Sequence, residues 1–80
     1  MRPQPDDSVT AQRLMELAAM NPTTATGMRQ QAYDIASLAL FCFGKEISDV
    51  FKHIVDKRPF LHGLINEEFR RMYQRFSSVR

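Results

Sequence analysis

The sequence predicts an all-α domain of three or four helices, with a long central helix that is bent or broken at Gly44. Apolar residues recur at helical spacing along most of the chain, and no stretch alternates in the way a half-buried strand does. Only prolines and this glycine interrupt the pattern. Because 80 residues suffice for one small domain, we assign residues 1–8 to a flexible N-terminal tail and residues 9–80 to a single helical domain.

The first helix is predicted from about Val9 to Met20. Asp7 or Ser8 can supply the N-cap oxygen, and Pro22 disfavours helical geometry in the residue before it. The residues expected to face the core are Ala11, Leu14, Met15, Leu17 and Ala18. Since these side chains are mostly small, we expect this helix to be an accessory element that lies on a larger core.

The second helix is predicted to begin after Pro22, where a threonine hydroxyl of Thr23 or Thr24 can act as the N-cap. One face carries Met28, Ala32, Ile35, Ala36, Ala39 and Phe43. Leu38 and Phe41 fall on the opposite side of the same helix, and a chain this short has few other helices that could cover them. We therefore expect these two residues to meet a second chain.

Gly44 decides between two architectures. The apolar face continues almost in phase beyond it through Ile47, Val50, Phe51, Ile54 and Val55. No capping residue stands at Lys45 or Glu46, which favours one helix over residues 24–57 that is straight or bent at the glycine. That helix would be about 50 Å long and would require a partner chain. In the alternative, Gly44 is a left-handed C-cap and the chain forms a compact four-helix monomer.

The last helix is predicted over residues 59–77, with Pro59 in its first turn. It has the broadest apolar face of the chain, made by Leu61, Leu64, Ile65, Phe69, Met72, Tyr73 and Phe76. We expect this face to form the main core against residues 41–55. Replacing Phe51 or Phe69 with alanine is therefore predicted to unfold the domain.

The residue types that could carry chemistry form one loose group, Cys42, Asp49, His53, Asp56 and His62. A zinc site requires two close pairs of ligands, which this spacing does not supply. Cys42 stands between Phe41 and Phe43, where an inert core sulfhydryl is expected. The sequence therefore predicts no catalytic residue, no metal site and no cofactor, and the protein is not expected to be an enzyme.

The cysteine count and the lengths of the apolar stretches bear on the location of the protein. One cysteine cannot form an internal disulfide, which fits a reducing compartment. The longest apolar stretch, residues 35–43, is far shorter than the ~20 residues of a membrane-spanning helix, and residues 1–8 lack the features of a secretion signal. We expect a cytoplasmic protein that does not contact membranes.

The C-terminal part of the chain is basic. Residues 35–80 contain eight bases and five acids, and the last charged residues are Arg70, Arg71, Arg75 and Arg80. These arginines are candidate contacts for nucleic acid, so the alternative function is a small DNA-binding transcriptional regulator that uses the basic C-terminal helix. Two observations weigh against it. Glu67 and Glu68 can neutralise nearby arginines, and the helix begins with residues 59–62, which are mostly apolar and therefore expected to be buried.

The preferred interpretation is a small non-catalytic helical protein that self-associates, as a homodimer, and binds another protein. It would act as an adaptor, or as an inhibitor that occludes a groove or dimerisation surface of a regulatory protein. The candidate interface residues are Leu38, Phe41, Leu61, Leu64, Glu68, Met72 and Arg75. Among them, Glu68 and Arg75 are predicted to form a charged rim around an apolar patch.

Overall fold

A computed structural model describes residues 7–40, 42 and 44–78, with the side chains of residues 8–40, 42 and 44–75. Its elements are α1 (Asp7–Ala19), α2 (Ala25–Ala39), α3 (Lys45–Lys57) and α4 (Pro59–Ser78). All four are helices, and no strand occurs within these ranges. The predicted all-α class is therefore confirmed. Of the tail expected over residues 1–8, residues 1–6 lie outside the described residues, and Asp7 and Ser8 belong to α1.

The four helices enclose one core, and each of them packs on two others. α1 packs on α2 and α3, and α4 packs on the same two helices from the other side. The buried apolar side chains are Leu14, Ala18, Ala32, Ile35, Ala36, Ala39, Ile47, Val50, Ile54, Leu61 and Ile65. The Cα atoms span 44 × 35 × 18 Å. Because packed helix axes lie about 8–10 Å apart, the shortest dimension corresponds to two layers of helices.

The predicted continuous central helix is not observed, because α2 ends at Ala39 and α3 begins at Lys45. The alternative, in which Gly44 is a left-handed C-cap, is also wrong in its detail. Gly44 has φ 170° and ψ 167°, which is extended backbone, and it precedes α3 as its N-cap. An extended residue cannot continue a helix, so the break lets α3 fold back onto α1.

α1 is an integral part of the core and not the accessory helix that its small residues suggest. Its described part starts at Asp7, so Asp7 and Ser8 lie inside the helix and neither is its N-cap. Leu14 is fully buried and Ala18 nearly so, whereas Met15, which we expected in the core, is exposed.

Side chains from two other parts of the fold hold the C-terminal end of α1. Gln31 of α2 donates from Nε2 to the carbonyl oxygens of Leu17 and Met20, both at 2.8 Å. Arg58 donates from Nη1 to the carbonyl oxygens of Ala18 at 2.6 Å and Met20 at 2.8 Å. The last carbonyls of a helix have no partner within the helix, so these bonds supply donors to the carbonyls of Ala18 and Met20. The Leu17 carbonyl also accepts from the backbone N–H of Met20 at 3.3 Å. We call this arrangement the α1 clamp.

The boundaries of the other helices follow local signals. Thr24 caps α2, because its Oγ1 accepts a hydrogen bond from the backbone N–H of Gly27 at 3.0 Å. Pro59 opens α4 as predicted, and Arg58 alone connects it to α3. The buried faces are narrower than expected, since Val55 is 47% and Tyr73 57% exposed.

Phe51 and Phe69, which we expected to be indispensable to the core, are only half-buried. Their ring centroids lie 6.1 Å apart with the ring planes tilted by 51°. A pair of this kind contributes about 0.5–1.5 kcal/mol beyond the area that it buries. Replacing either phenylalanine with alanine therefore removes less buried surface than replacing a fully enclosed side chain. Neither substitution is now expected to unfold the domain.

Two helical glycines should respond in opposite ways to alanine. Gly63→Ala should raise the free energy of unfolding by about 0.5–1 kcal/mol, because a Cβ there meets no atom within 4 Å other than the adjacent residues and the backbone of its own helix, and alanine favours helix. Gly27→Ala should lower it, since the new Cβ would lie 2.8 Å from Cβ of the rigid Pro22 ring. Urea unfolding followed by circular dichroism measures both. Equal shifts in the two variants would contradict the predicted crowding at Gly27.

Candidate protein-binding site

The first surface feature is a groove between α2 and α4, which we call the α2–α4 groove. It has a volume of about 210 Å³ and is lined by Tyr33, Ser37, Leu40, Met72 and Arg75. Tyr33, Ser37 and Leu40 stand on one stripe of α2 because they are spaced by four and three residues. Tyrosine, methionine and arginine are enriched at protein interfaces, where they combine apolar contact area with polar ends.

A second depression continues from this groove, because Leu40 contributes to both. It is a largely apolar cavity of about 350 Å³ beside the α2–α3 connection, and we call it the junction cavity. Its lining is Ala39, Leu40, Cys42, Gly44, Ile47, Ser48, Phe51, Phe69 and Tyr73. Cys42 is half-buried there and donates from Sγ to the carbonyl oxygen of Leu38 at 3.2 Å, so the expected core sulfhydryl instead borders a cavity.

Two arginines beside the α2–α4 groove have no anionic partner among the described residues. Arg75 is exposed and makes no hydrogen bond or ion pair with any described residue. The same holds for Arg29, which precedes Tyr33 by four residues and so stands on the same stripe of α2. Both guanidinium groups are therefore available to a carboxylate from outside the chain.

A different groove lies between α1 and α2, and we call it the α1–α2 groove. It has a volume of about 480 Å³ and is lined by Arg13, Leu17, Asp34, Ser37 and Leu38. The two leucines are half-buried and pack against the core. One wall thus supplies a cation from α1 and the other an anion from α2, whereas the α2–α4 groove contains only a cation.

The candidate interface residues are distributed over these surfaces. Met72 and Arg75 lie together in the α2–α4 groove. Leu38 lies in the α1–α2 groove and is half-buried, so the chain does not enclose it completely. Phe41 is outside the described residues.

The remaining candidate interface residues lie deeper in the fold. Leu61 is 1% exposed and belongs to the core, so it has no surface to offer a partner. Leu64 is half-buried and packs against the core. The Glu68 side chain is only 14% exposed, and its carboxylate accepts a hydrogen bond from Nη1 of Arg71 at 3.3 Å.

The candidate nucleic-acid contacts that the structure describes differ in their surroundings. Arg71 is occupied by Glu68, as expected from their helical spacing, and Arg75 lines the α2–α4 groove. Arg70 is exposed and shares a shallow depression with Arg71 and Glu67, while Arg80 is outside the described residues. A duplex contact would need several free arginines on one side to neutralise phosphates.

The start of α4 also differs from our expectation. We expected residues 59–62 to be mostly buried, and Leu61 is buried, but Phe60 is 69% exposed. Phe60 is the most exposed of the large apolar side chains in the described part of the chain. Phe60 lies at the start of α4, next to Arg58. It is more than two helical turns from Met72 and Arg75, the residues of α4 that line the α2–α4 groove.

The titratable residues singled out from the sequence do not assemble. Asp49, His53 and Asp56 are all exposed on α3, and Asp49 pairs with Lys45 at 3.1 Å. On α4, Nδ1 of His62 lies 3.4 Å from the amide nitrogen of Asn66. Within the described residues no three His, Cys, Asp or Glu side chains are grouped closely enough to hold a metal ion.

Another basic cluster has a structural explanation. A cleft of about 190 Å³ between α1 and α3 is bordered by His53, Lys57 and Arg58. Lys57 is the last residue of α3, and Arg58 binds the final carbonyls of α1. Cations at helix C-termini are stabilised by the negative end of the helix dipole, which at the same time repels anions. This cleft is therefore poorly suited to a phosphate or a carboxylate ligand.

Three residues of the α2–α4 groove, Tyr33, Ser37 and Leu40, were not predicted from the sequence. A signal was present, because with Arg29 these residues form a stripe spaced four, four and three residues apart along one edge of the alanine face of α2. The stripe mixes polar and apolar types, so periodicity alone indicates a solvated face.

Comparisons with known proteins do not assign this chain to a family. No protein-family model, curated protein or solved structure matches this chain significantly. No described helix is long and apolar enough to cross a membrane. The function is therefore inferred from the surfaces described above.

Proposed function

We propose that this chain is a non-catalytic cytoplasmic protein that self-associates and binds another protein as an adaptor or an inhibitor of a regulatory protein. Its partner-binding surface is the α2–α4 groove. The occupant is an amphipathic segment of the partner with apolar side chains and at least one carboxylate. Binding would occlude that segment, so that it is no longer available to the partner's other contacts.

The observation that carries this proposal is the pairing of an interface-like lining with unpaired cations. Tyr33 is 47% exposed, and Met72 is half-buried beside it in the same groove. Arg75 and Arg29 have no anionic partner among the described residues. Exposed aromatic area supplies contact, and free guanidinium groups supply selectivity for carboxylates, so the two features together favour an acidic amphipathic partner.

The junction cavity extends this surface. Tyr73 lines it and is adjacent in sequence to Met72 of the α2–α4 groove, and Leu40 lines both depressions. A helical segment lying along α4 could place one apolar side chain beside Met72 and a second against Phe69 and Tyr73. Two apolar residues that are three or four positions apart in the partner helix would reach both places.

Selection of random helical peptides displayed on phage tests the proposal, and it does not require the natural partner to be identified. We expect the enriched peptides to combine large apolar residues with Asp or Glu. Their affinity should fall about tenfold or more in Arg75→Glu and in Tyr33→Ala, because the first reverses the charge and the second removes contact area. Fluorescence anisotropy with a synthetic peptide measures this loss.

Lys52→Glu is the matched control, because Lys52 is exposed on α3 and lines neither groove. It changes net charge as Arg75→Glu does, yet it should leave peptide affinity unchanged. Peptides that bind all three variants equally would rule out the α2–α4 groove. Binding of duplex DNA that weakens steeply with added salt would favour the transcriptional regulator instead.

A further inference from the structure

The α1–α2 groove has a charge pattern that suits a second copy of this chain. Arg13 on α1 and Asp34 on α2 line the same groove, yet they do not pair with each other within the chain. Arg13 instead makes an exposed contact of 3.3 Å with Glu16, and Asp34 accepts a hydrogen bond from Gln30 at 2.9 Å. Exposed local pairs of this kind contribute little and exchange readily.

We propose that two copies associate through the α1–α2 groove about a twofold axis, with Arg13 of each copy facing Asp34 of the other. This inference rests on the self-association named above and specifies where it occurs. In a twofold interface the contact between two residue types is made twice, so a surface that carries one cation and one anion complements itself. Arg13 and Asp34 together carry no net charge. A partner that is mainly acidic or mainly basic would therefore match the charges of this groove less well than a second copy does.

The apolar part of the groove fits the same arrangement. Leu17 and Leu38 are half-buried, and both extend the core to the surface from α1 and α2. Across a twofold axis they would meet their counterparts and lose their remaining exposure to water. The groove therefore has an apolar centre with a charged edge, which is the usual anatomy of a specific interface.

The dimer would leave the partner-binding surface accessible. Ser37 is the one residue common to both grooves, and the other residues of the α2–α4 groove lie toward α4. A twofold dimer would therefore present two α2–α4 grooves, one on each copy. A partner with two acidic segments would bind more tightly to the dimer than to either protomer.

Analytical ultracentrifugation of variants with reversed charges tests whether Arg13 faces Asp34 across the dimer interface. At micromolar concentration the wild-type chain should sediment with about twice its monomer mass of 9.3 kDa. Arg13→Asp and Asp34→Arg should each weaken the dimer by about tenfold or more, because each places two like-charged pairs across the axis. An equimolar mixture of these two variants should form a heterodimer, since every facing pair is then of opposite sign. The double variant R13D/D34R should likewise recover the homodimer.

Several outcomes would overturn the inference, and they separate it from the proposed function. A monomeric wild-type chain overturns both the self-association and this interface, while peptide binding to the α2–α4 groove is judged independently. A wild-type dimer that persists in both single variants, or variants that stay monomeric when mixed, overturns only the Arg13–Asp34 interface. Lys52→Glu is again the control and should remain dimeric. If a reversed charge unfolds the chain, Arg13→Gln and Asp34→Asn should still weaken the dimer, and no weakening would contradict the pairing.

Discussion

Ile54→Ala should lower the free energy of unfolding by about 2–5 kcal/mol, the usual range for removing a fully enclosed aliphatic side chain. Ile54 is 1% exposed and lies in the core with Leu14, Ile35, Leu61 and Ile65, which are equally enclosed. A domain of this length has roughly 4–12 kcal/mol of stability in total. The variant should therefore lose a large part of its resistance to urea, which the midpoint of unfolding measures.

The adjacent Val55 offers a matched control within the same helix. Val55 is 47% exposed, so Val55→Ala removes apolar area that water already reaches and should lower stability by less than about 1 kcal/mol. Both substitutions replace a β-branched residue with alanine in α3, so the change in helix propensity is similar. If the two variants unfolded at the same urea concentration, the assignment of faces on α3 would be wrong.

Arg58→Ala should lower the free energy of unfolding by about 3 kcal/mol. Its guanidinium donates two charge-assisted hydrogen bonds to carbonyl oxygens at the end of α1, and each bond of this class contributes about 1.5–3 kcal/mol. Alanine would leave the carbonyl of Ala18 without this donor, whereas Met20 would retain its bond from Gln31. Thermal unfolding of the variant should show a midpoint lowered by several degrees or more.

Two companion variants separate the hydrogen bonds from the charge. Arg58→Lys keeps a cation at the helix end but loses the planar guanidinium that reaches two carbonyls, so it should recover only part of the stability. Arg70→Ala removes an exposed arginine that has no partner among the described residues and should change stability by less than about 0.5 kcal/mol. Equal loss in Arg58→Ala and Arg70→Ala would show that the α1 clamp does not stabilise the fold.

Local chemistry explains what could be predicted of the fold. Thr24 as the cap of α2, Pro59 as the first residue of α4, and the buried face of Ile35 and Ala39 depend on neighbours within one or two turns. Such features follow from backbone hydrogen bonding and helical periodicity, which the sequence displays directly. Gly44 stands between two separate helices, α2 and α3, whereas the sequence favoured one continuous or bent helix there, and its backbone is extended and not left-handed.

The features that could not be predicted depend on how helices are placed relative to one another. Gln31 and Arg58 bind α1 from 11 to 40 residues away, and no spacing rule links them. The same holds for the two grooves, since Tyr33 and Arg75 line one groove only because α2 packs on α4. Periodicity identified apolar faces but not their widths, which is why Leu61 was expected at an interface and Tyr73 near the core.

The α1 clamp also bears on the order in which the protein can become stable during synthesis. α1 leaves the ribosome before Arg58, which follows the carbonyls that it binds by 38 to 40 positions. Contacts between such distant points form only after the loop between them has closed, which makes folding more cooperative and slower than a sequence of local steps. A nascent chain that stops before residue 58 would therefore lack the two bonds that Arg58 gives to the α1 clamp, and chaperones or proteases would meet α1 in that state.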